Sequence, residues 1–414
     1  MAVVRPFKGI RPKAGLEAQI ASLPYDVMNR AEAKEMAKGN PKSFLNIGRA
    51  EINLDDTISA YADEVYVQAK NYLHKMIEEG DLIQDSEPMY YIYRQIMNGR
   101  AQTGLVGCTS IDDYMSDVIK KHEHTREEKE IDRINHFDVC NANTEPIFLT
   151  YRKNESIDSL VGAWVESKEP VYDFKSEDGI QHILWVVDDA GIVAKISKIF
   201  SGIDYLYIAD GHHRSASAVK VGLKRRKEFP NYDGTEEFNY FMSVIFPDKD
   251  LYVMDYNRVV KDLNGLSSDL FLEKIKEAFD LESYQGDGSF GPTEKHQFGM
   301  YLEGKWYKLT AKALTYENAD IVNSLDAAVL QNYLLAPVLG IENPRTDKRI
   351  DFVGGIRGLK ELEKRVAEDM TVAFSLCPVS IEDLMQVADD GKVMPPKSTW
   401  FEPKLRSGLF IHQL

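Results

Sequence analysis

Ile208-Ala-Asp-Gly-His-His-Arg-Ser-Ala-Ser-Ala218 is the stretch on which the fold turns. Leu206 to Ala209 is apolar and strand-prone, Asp210-Gly211 is a turn pair, and Arg214 to Glu228 is rich in Ala, Lys and Arg. A strand, a tight turn and a helix in that order aim backbone N–H groups and the positive helix end outward. A carboxylate, two imidazoles and a guanidinium crowd into five residues there. They suit a phosphate, with Arg214 gripping it bidentately, the helix end supplying N–H groups and the histidines donating to nonbridging oxygens. An Asp-Gly turn that merely caps a helix is the bland alternative; the adjacent histidines and Arg214 tip the balance toward chemistry.

Upstream, Lys120-Lys-His-Glu-His-Thr-Arg126 falls in a charged stretch from Asp112 to His136 that reads as helix-prone, with Lys129 and Arg133 one and two turns later. Its cations could surround an anionic donor, and Glu123 could act as a base. A solvated helix laced by i,i+4 pairs explains the same residues equally well. His122, His124, His212 and His213 with Asp210 could also compose a transition-metal site, but the spacing matches no zinc signature and HExxH is absent. Magnesium travelling with a phosphate donor, ligated by Asp210, fits better.

The rest of the chain reads as alternating short elements without repeats. A helix is expected over Asp56 to Glu79 with Gly80 as its stop, and a hairpin of Tyr90 to Arg94 and Gly104 to Cys108 around Asn98-Gly99. Strands are expected at Ile147 to Tyr151, His182 to Val187, Phe241 to Ile245, Leu251 to Met254 and Thr371 to Leu376. Helices are expected at Asp269 to Phe279, at Ile321 to Leu339 and from Ser380. Gly354-Gly-Ile-Arg-Gly358 is a weak anion-loop hint, more simply structural. The pattern is α+β rather than a regular βαβ series.

Composition narrows the function. A chain of 414 residues suits two or three domains. The formal charge of -16 opposes polyanion binding, so no nucleic-acid partner is expected. Cys108, Cys140 and Cys377 stand far apart, which fits a reducing compartment. No leader-like or membrane-spanning run is read, so a cytoplasmic enzyme with no membrane partner is expected. Oligomeric state is not legible.

Taken together, Arg5-Pro-Phe, Pro24-Tyr-Asp, Arg94-Gln, Lys120-Lys-His-Glu-His-Thr, Ala209-Asp-Gly-His-His-Arg-Ser-Ala and Asp351-Phe-Val-Gly-Gly make the chain resemble a widespread prokaryotic family of unknown function. It is also similar to the archaeal free serine kinases, a branch of the ParB/sulfiredoxin-like superfamily. Those kinases carry Asp-Gly-His-His-Arg after a strand, a His-Glu pair upstream whose Glu is the base, and Ser-Pro-Lys-Thr-Thr-Arg-His near the C-terminus. Asp210 to Arg214, His122-Glu123 and Pro395-Pro-Lys-Ser-Thr-Trp-Phe401 match in the same order. The spacing departs, with 87 residues from Glu123 to Asp210, so an insertion lies between. Trp400-Phe401 replaces the Arg-His, and Lys404 or Arg406 is the available substitute cation.

The resemblance implies a mixed α/β ParB-like phosphate-binding core at 111–260, with an N-terminal α+β region at 1–110 and a C-terminal α+β region at 261–414. It implies phosphorylation of L-serine to O-phospho-L-serine, with ADP, ATP or pyrophosphate as donor and Mg2+ as cofactor. Glu123, Asp210, His212 and His213 would be catalytic, Asp210 holding the metal. Gly211, Arg214, His122 and Arg126 would bind the donor, and Lys397, Ser398 and Thr399 the amino acid. The alternatives are a ParB-like nucleotide switch without transfer activity and a metal-dependent phosphohydrolase.

Overall fold

In a computed structural model the strand before the Asp-Gly turn sits near one edge of a mixed sheet. Its order is Ile119–Lys120, Leu206–Asp210, Ile147–Tyr151, Tyr240–Pro247, Arg100–Ser110, Tyr90–Met97, Gln181–Val187 and Tyr172–Lys175, and Val4–Arg5 pairs with Arg100–Ser110. Leu206–Asp210 runs parallel to Ile119–Lys120, and Tyr240–Pro247 parallel to Ile147–Tyr151; the other neighbours are antiparallel. Ile147–Tyr151 is buried at every position and Tyr240–Pro247 at all but its first. Such strands read as continuous apolar runs because both faces are covered. Helix Glu127–Cys140 lies along helix His212–Glu228 and brings Phe137 and Val219 into the core with Leu149, Ile208 and Ile245. Each such buried side chain contributes about 1.5–3 kcal/mol.

The structure describes every residue except 318. The chain divides into two units, Met1–Leu251 with Pro403–Leu414, and Tyr252–Glu402. The expected boundary at residue 110 falls inside the first sheet, because Tyr90–Met97 and Arg100–Ser110 are central strands that cannot be separated from it. The second unit carries an antiparallel sheet in the order Phe279–Ser283, Lys305–Ala311, Gln297–Leu302, Val372–Leu376, Tyr256–Val260 and Ile350–Gly354. The fold is α+β, as expected. Among the described residues no helix is long and apolar enough to cross a membrane.

Several expected elements shift. The helix expected from Asp56 begins at Asp63 and ends at Glu78, with Gly80 at φ 75°. The Asp269 to Phe279 helix stops at Ile275, and Phe279 starts a strand. Ile321 to Leu339 holds only the short helix Asp326–Leu330 and the π-helical Gln331–Leu335. The charged Asp112 to His136 stretch is not one helix: Ile111–Met115 is helical, Asp117 takes φ 57°, Ile119–Lys120 joins the sheet edge, and the next helix starts at Glu127. Pairing with Leu206-Tyr207 overrides local helix preference there. Gly354 and Gly355 pack against Trp400 and Asp255 with no room for a Cβ, which supports the structural reading of that loop.

Candidate active site at the Asp210 turn

Strand Leu206–Asp210 slips register against Ile147–Tyr151 between Ile208 and Asp210, and such an irregularity re-aims the side chain at its end. Gly211 follows at φ 95°, ψ 31°, a left-handed conformation that glycine takes without penalty. A Cβ there would also lie 3.1 Å from Arg214 Nε. As N-cap of the 17-residue helix His212–Glu228, Gly211 offers no side chain to the first-turn N–H groups. The positive helix end is left for an anion.

The loop from Lys121 to Arg126 crosses this turn and is tied to both histidines. The His122 N–H donates to His212 Nε2 at 3.4 Å and the Arg126 N–H donates to His213 Nε2 at 3.0 Å. Burial drives the His212 imidazole down to about 3, against the pull of Asp210, and burial likewise lowers His213. Both rings are therefore neutral near pH 7. A neutral imidazole that accepts at Nε2 carries its proton on Nδ1. For His212 that atom faces Glu123 Oε2 at 3.8 Å. Glu123 keeps about a third of its side chain exposed, at 35%, so one carboxylate is oriented from inside and reachable from outside. Behind the loop, Thr125 and Lys220 both bind the Glu130 carboxylate, and Ser217 Oγ donates to the Glu130 carbonyl at 3.0 Å.

Asp210 receives the Lys404 ammonium at 3.0 Å and has Arg214 Nη2 at 3.9 Å. Burial alone would raise its carboxyl, but Lys404 and Arg214 outweigh that and hold it well below the usual carboxylate range. Arg214 is buried beneath the turn, where Nη1 donates to the Pro146 carbonyl at 2.5 Å. Despite its burial, Asp26, Asp210 and Glu145 keep its guanidinium firmly protonated. Glu145 and Arg133 are buried in the same electrostatic neighbourhood, and Arg133 stacks 3.9 Å over the Tyr25 ring.

The structure thus gathers Glu123, Asp210, Gly211, His212, His213 and His122 at one place. His122 is buried edge-on to His212, ring centroids 4.4 Å apart. The bidentate donor clamp expected of Arg214 does not fit its position, because glycine at 211 lets the guanidinium fold back beneath the turn. Arg126 joins the site through its backbone, with its side chain exposed. The histidines act first as acceptors for the loop rather than as phosphate donors through both nitrogens. His124 is exposed, and among the described residues no three His, Cys, Asp or Glu side chains are grouped to hold a metal, so the transition-metal alternative lacks a ligand set there. Of the two expected substitute cations, Arg406 is committed to Asp178, Ser176 and His182, and Lys404 lies at Asp210. Lys397, Ser398 and Thr399 belong to the second unit, where the Lys397 ammonium lies 5.5 Å over the Tyr256 ring and Ser398 Oγ donates to the Pro395 carbonyl at 2.7 Å.

A family model described as "Protein of unknown function (DUF1015)" matches residues 4–328. This chain belongs to that family. No curated protein matches it. Among solved structures, the DUF1015 chain is similar to a free serine kinase in complex with ADP, at 13% identity and TM-score 0.36, over 75% of this chain and 93% of that one. It is similar to SbnI with C-terminal truncation from Staphylococcus aureus, at 10% identity and TM-score 0.41, over 74% and 87%. A conserved hypothetical protein from Pyrococcus furiosus matches at 16% identity and TM-score 0.33, over 72% and 94%.

Proposed function

We propose that this DUF1015 protein transfers a phosphoryl group to the hydroxyl of free L-serine, on a ParB/sulfiredoxin-like core. The observation that carries the reading is the placement of Glu123 against His212 Nδ1, beside an uncapped helix end. Phosphoryl transfer needs alignment and charge neutralisation more than covalent help. A terminal phosphate of the donor sits over Gly211, on the N–H groups of the first helical turn, with His213 and Lys404 at its edge. Glu123 takes the proton of the serine hydroxyl while the serine oxygen bonds to phosphorus. The bond from that phosphorus to the donor's bridging oxygen breaks, and the leaving phosphate keeps the electron pair. ADP would yield AMP, ATP would yield ADP, and pyrophosphate would yield phosphate.

Asp210 is the residue that would hold magnesium, and the ion would neutralise the donor oxygens. It would have to share that carboxylate with Lys404, so metal and ammonium compete for one anion. Serine as acceptor comes from the resemblance of the His-Glu and Asp-Gly-His-His-Arg motifs. The acceptor contacts expected of Lys397, Ser398 and Thr399 stand on the third motif alone.

The test is incubation of the purified protein with L-serine, magnesium and each of ADP, ATP and pyrophosphate, following O-phospho-L-serine by phosphorus NMR. Accumulation with one donor supports the reading. Its absence with all three removes it.

A further inference from the structure

The first unit holds a second polar cavity at the other end of the same strands. Asp210 lies level with Phe148, near the start of Ile147–Tyr151. Tyr151 ends that strand level with Pro247, and Thr103 lies beside Arg94. Three residues of strand put roughly 10 Å between the two levels. Around Tyr151, Arg94, Thr103, Asp158, Gly162 and Asp250 the structure leaves a cavity of about 180 Å³. That is the volume of roughly six waters in the liquid.

Its wall carries both signs of charge on an apolar floor of Leu105 and Ile157. Tyr151 is 98% buried and lines this cavity, and its hydroxyl makes no hydrogen bond to another described residue. A phenol whose oxygen opens onto a cavity can hydrogen-bond with a polar occupant there. Asp158, Asp248 and Asp250 crowd the phenol electrostatically, and burial with Asp158 nearby raises the Asp250 carboxyl. Lys153 Nζ already lies 3.4 Å from Asp158 Oδ2, and the Thr103 N–H donates to Asp250 Oδ2 at 3.1 Å, so an incoming ammonium would share the two carboxylates with Lys153. Opposite them, Arg94 spends Nε on Thr103 Oγ1 at 2.8 Å and stacks its guanidinium 5.4 Å over Trp185. Its other nitrogens suit a carboxylate.

We infer that this cavity binds a small free amino acid, its ammonium held by Asp158, Asp250 and the Tyr151 hydroxyl and its carboxylate by Arg94. The site is separate from the Asp210 turn and does not depend on the transfer reading. If that reading also holds, the cavity is an effector site for an amino acid of substrate size.

Gly162 provides the test, because a Cβ built there meets nothing within 4 Å. Gly162→Leu fills the cavity from the wall of helix Glu155–Ser167 and replaces a glycine in a helix interior, so the fold tolerates it. Calorimetry on the full chain would compare glycine and L-alanine with acetate and ethylamine, which carry one charge each. Amino acids should bind at least tenfold more tightly than either single-charge probe. Gly162→Leu and Asp158→Asn should each weaken them at least tenfold, while Glu123→Gln leaves the affinity unchanged. Equal binding of the single-charge probes, full affinity in Gly162→Leu, or loss in Glu123→Gln with retention in Gly162→Leu would each overturn the assignment.

Discussion

Glu123 Oε2 lies 3.8 Å from His212 Nδ1, although 89 residues of chain separate the two. The contact is set from the far side of the ring, where His212 Nε2 accepts the His122 N–H and leaves the proton on Nδ1. His212 is thus a positioning residue for the proposed base.

His212→Ala should lower kcat by about 100-fold while leaving the KM for serine nearly unchanged, since loss of alignment at a base costs about that much. In a Glu123→Gln background the same change should have little further effect, because residues that act as a unit are not additive. Steady-state kinetics of the two single variants and the double variant measure the coupling. Additive losses would separate the two residues.

Lys404→Met removes the ammonium from Asp210. Donor affinity, read by calorimetry with ADP and with pyrophosphate, should fall at least tenfold, and Lys404→Arg should recover most of it. Unchanged affinity in Lys404→Met would reduce Lys404 to a structural partner of Asp210.

Gly211→Ala forces a Cβ into a left-handed residue and toward the Arg214 guanidinium. A cost of about 1–3 kcal/mol is expected, visible as a lower urea midpoint with an unchanged slope. A midpoint equal to the parent would mean that the turn relaxes freely.

Stability should fall as pH drops from about 6.5 toward 3. Burial holds His136, His182 and His212 down to about 3 in the folded chain, so between those limits the unfolded chain binds more protons. Each such group contributes a slope of up to about 1.4 kcal/mol per pH unit in that window, and the contribution is complete above it. Asp210 adds a loss in the same direction at lower pH: its depressed carboxyl contributes fully above the ordinary carboxylate range, and that contribution drains away as the pH falls through the range toward the folded value. Urea unfolding at stepped pH measures this, and a flat profile from 7 to 4 would contradict the neutral, buried imidazoles.

The sheet and the Asp210 turn were legible because their signals are local: apolar runs, the Asn98-Gly99 hairpin and Asp-Gly before a helix-rich segment. What the sequence hid is what depends on long-range pairing. Lys120 to Arg126 has helix-forming composition, yet strand pairing at Lys120 and the two histidine acceptors draw it out as a loop. Arg214 looks like a phosphate ligand by type, and only the missing Cβ of Gly211 and the Pro146 carbonyl explain why it turns inward. Pro24-Tyr25-Asp26 reads as a turn, whereas Tyr25 stacks beneath Arg133, and Asp26 acts electrostatically on Arg214 and His213. Glu145, one residue before a proline, gave no signal of burial. In the second unit, strands Gln297–Leu302 and Lys305–Ala311 flank a two-residue Glu303-Gly304 turn at φ 49° and 77°, a hairpin signal weakened by polar residues on both strands.

The most direct measurement is phosphoserine formation by the parent chain and by Glu123→Gln under identical donor, serine and magnesium. The parent should form product, and the variant should bind ADP as tightly while turning over roughly two to four orders of magnitude more slowly. Equal turnover by the two proteins would contradict Glu123 as the base and, with it, the site proposed at the Asp210 turn.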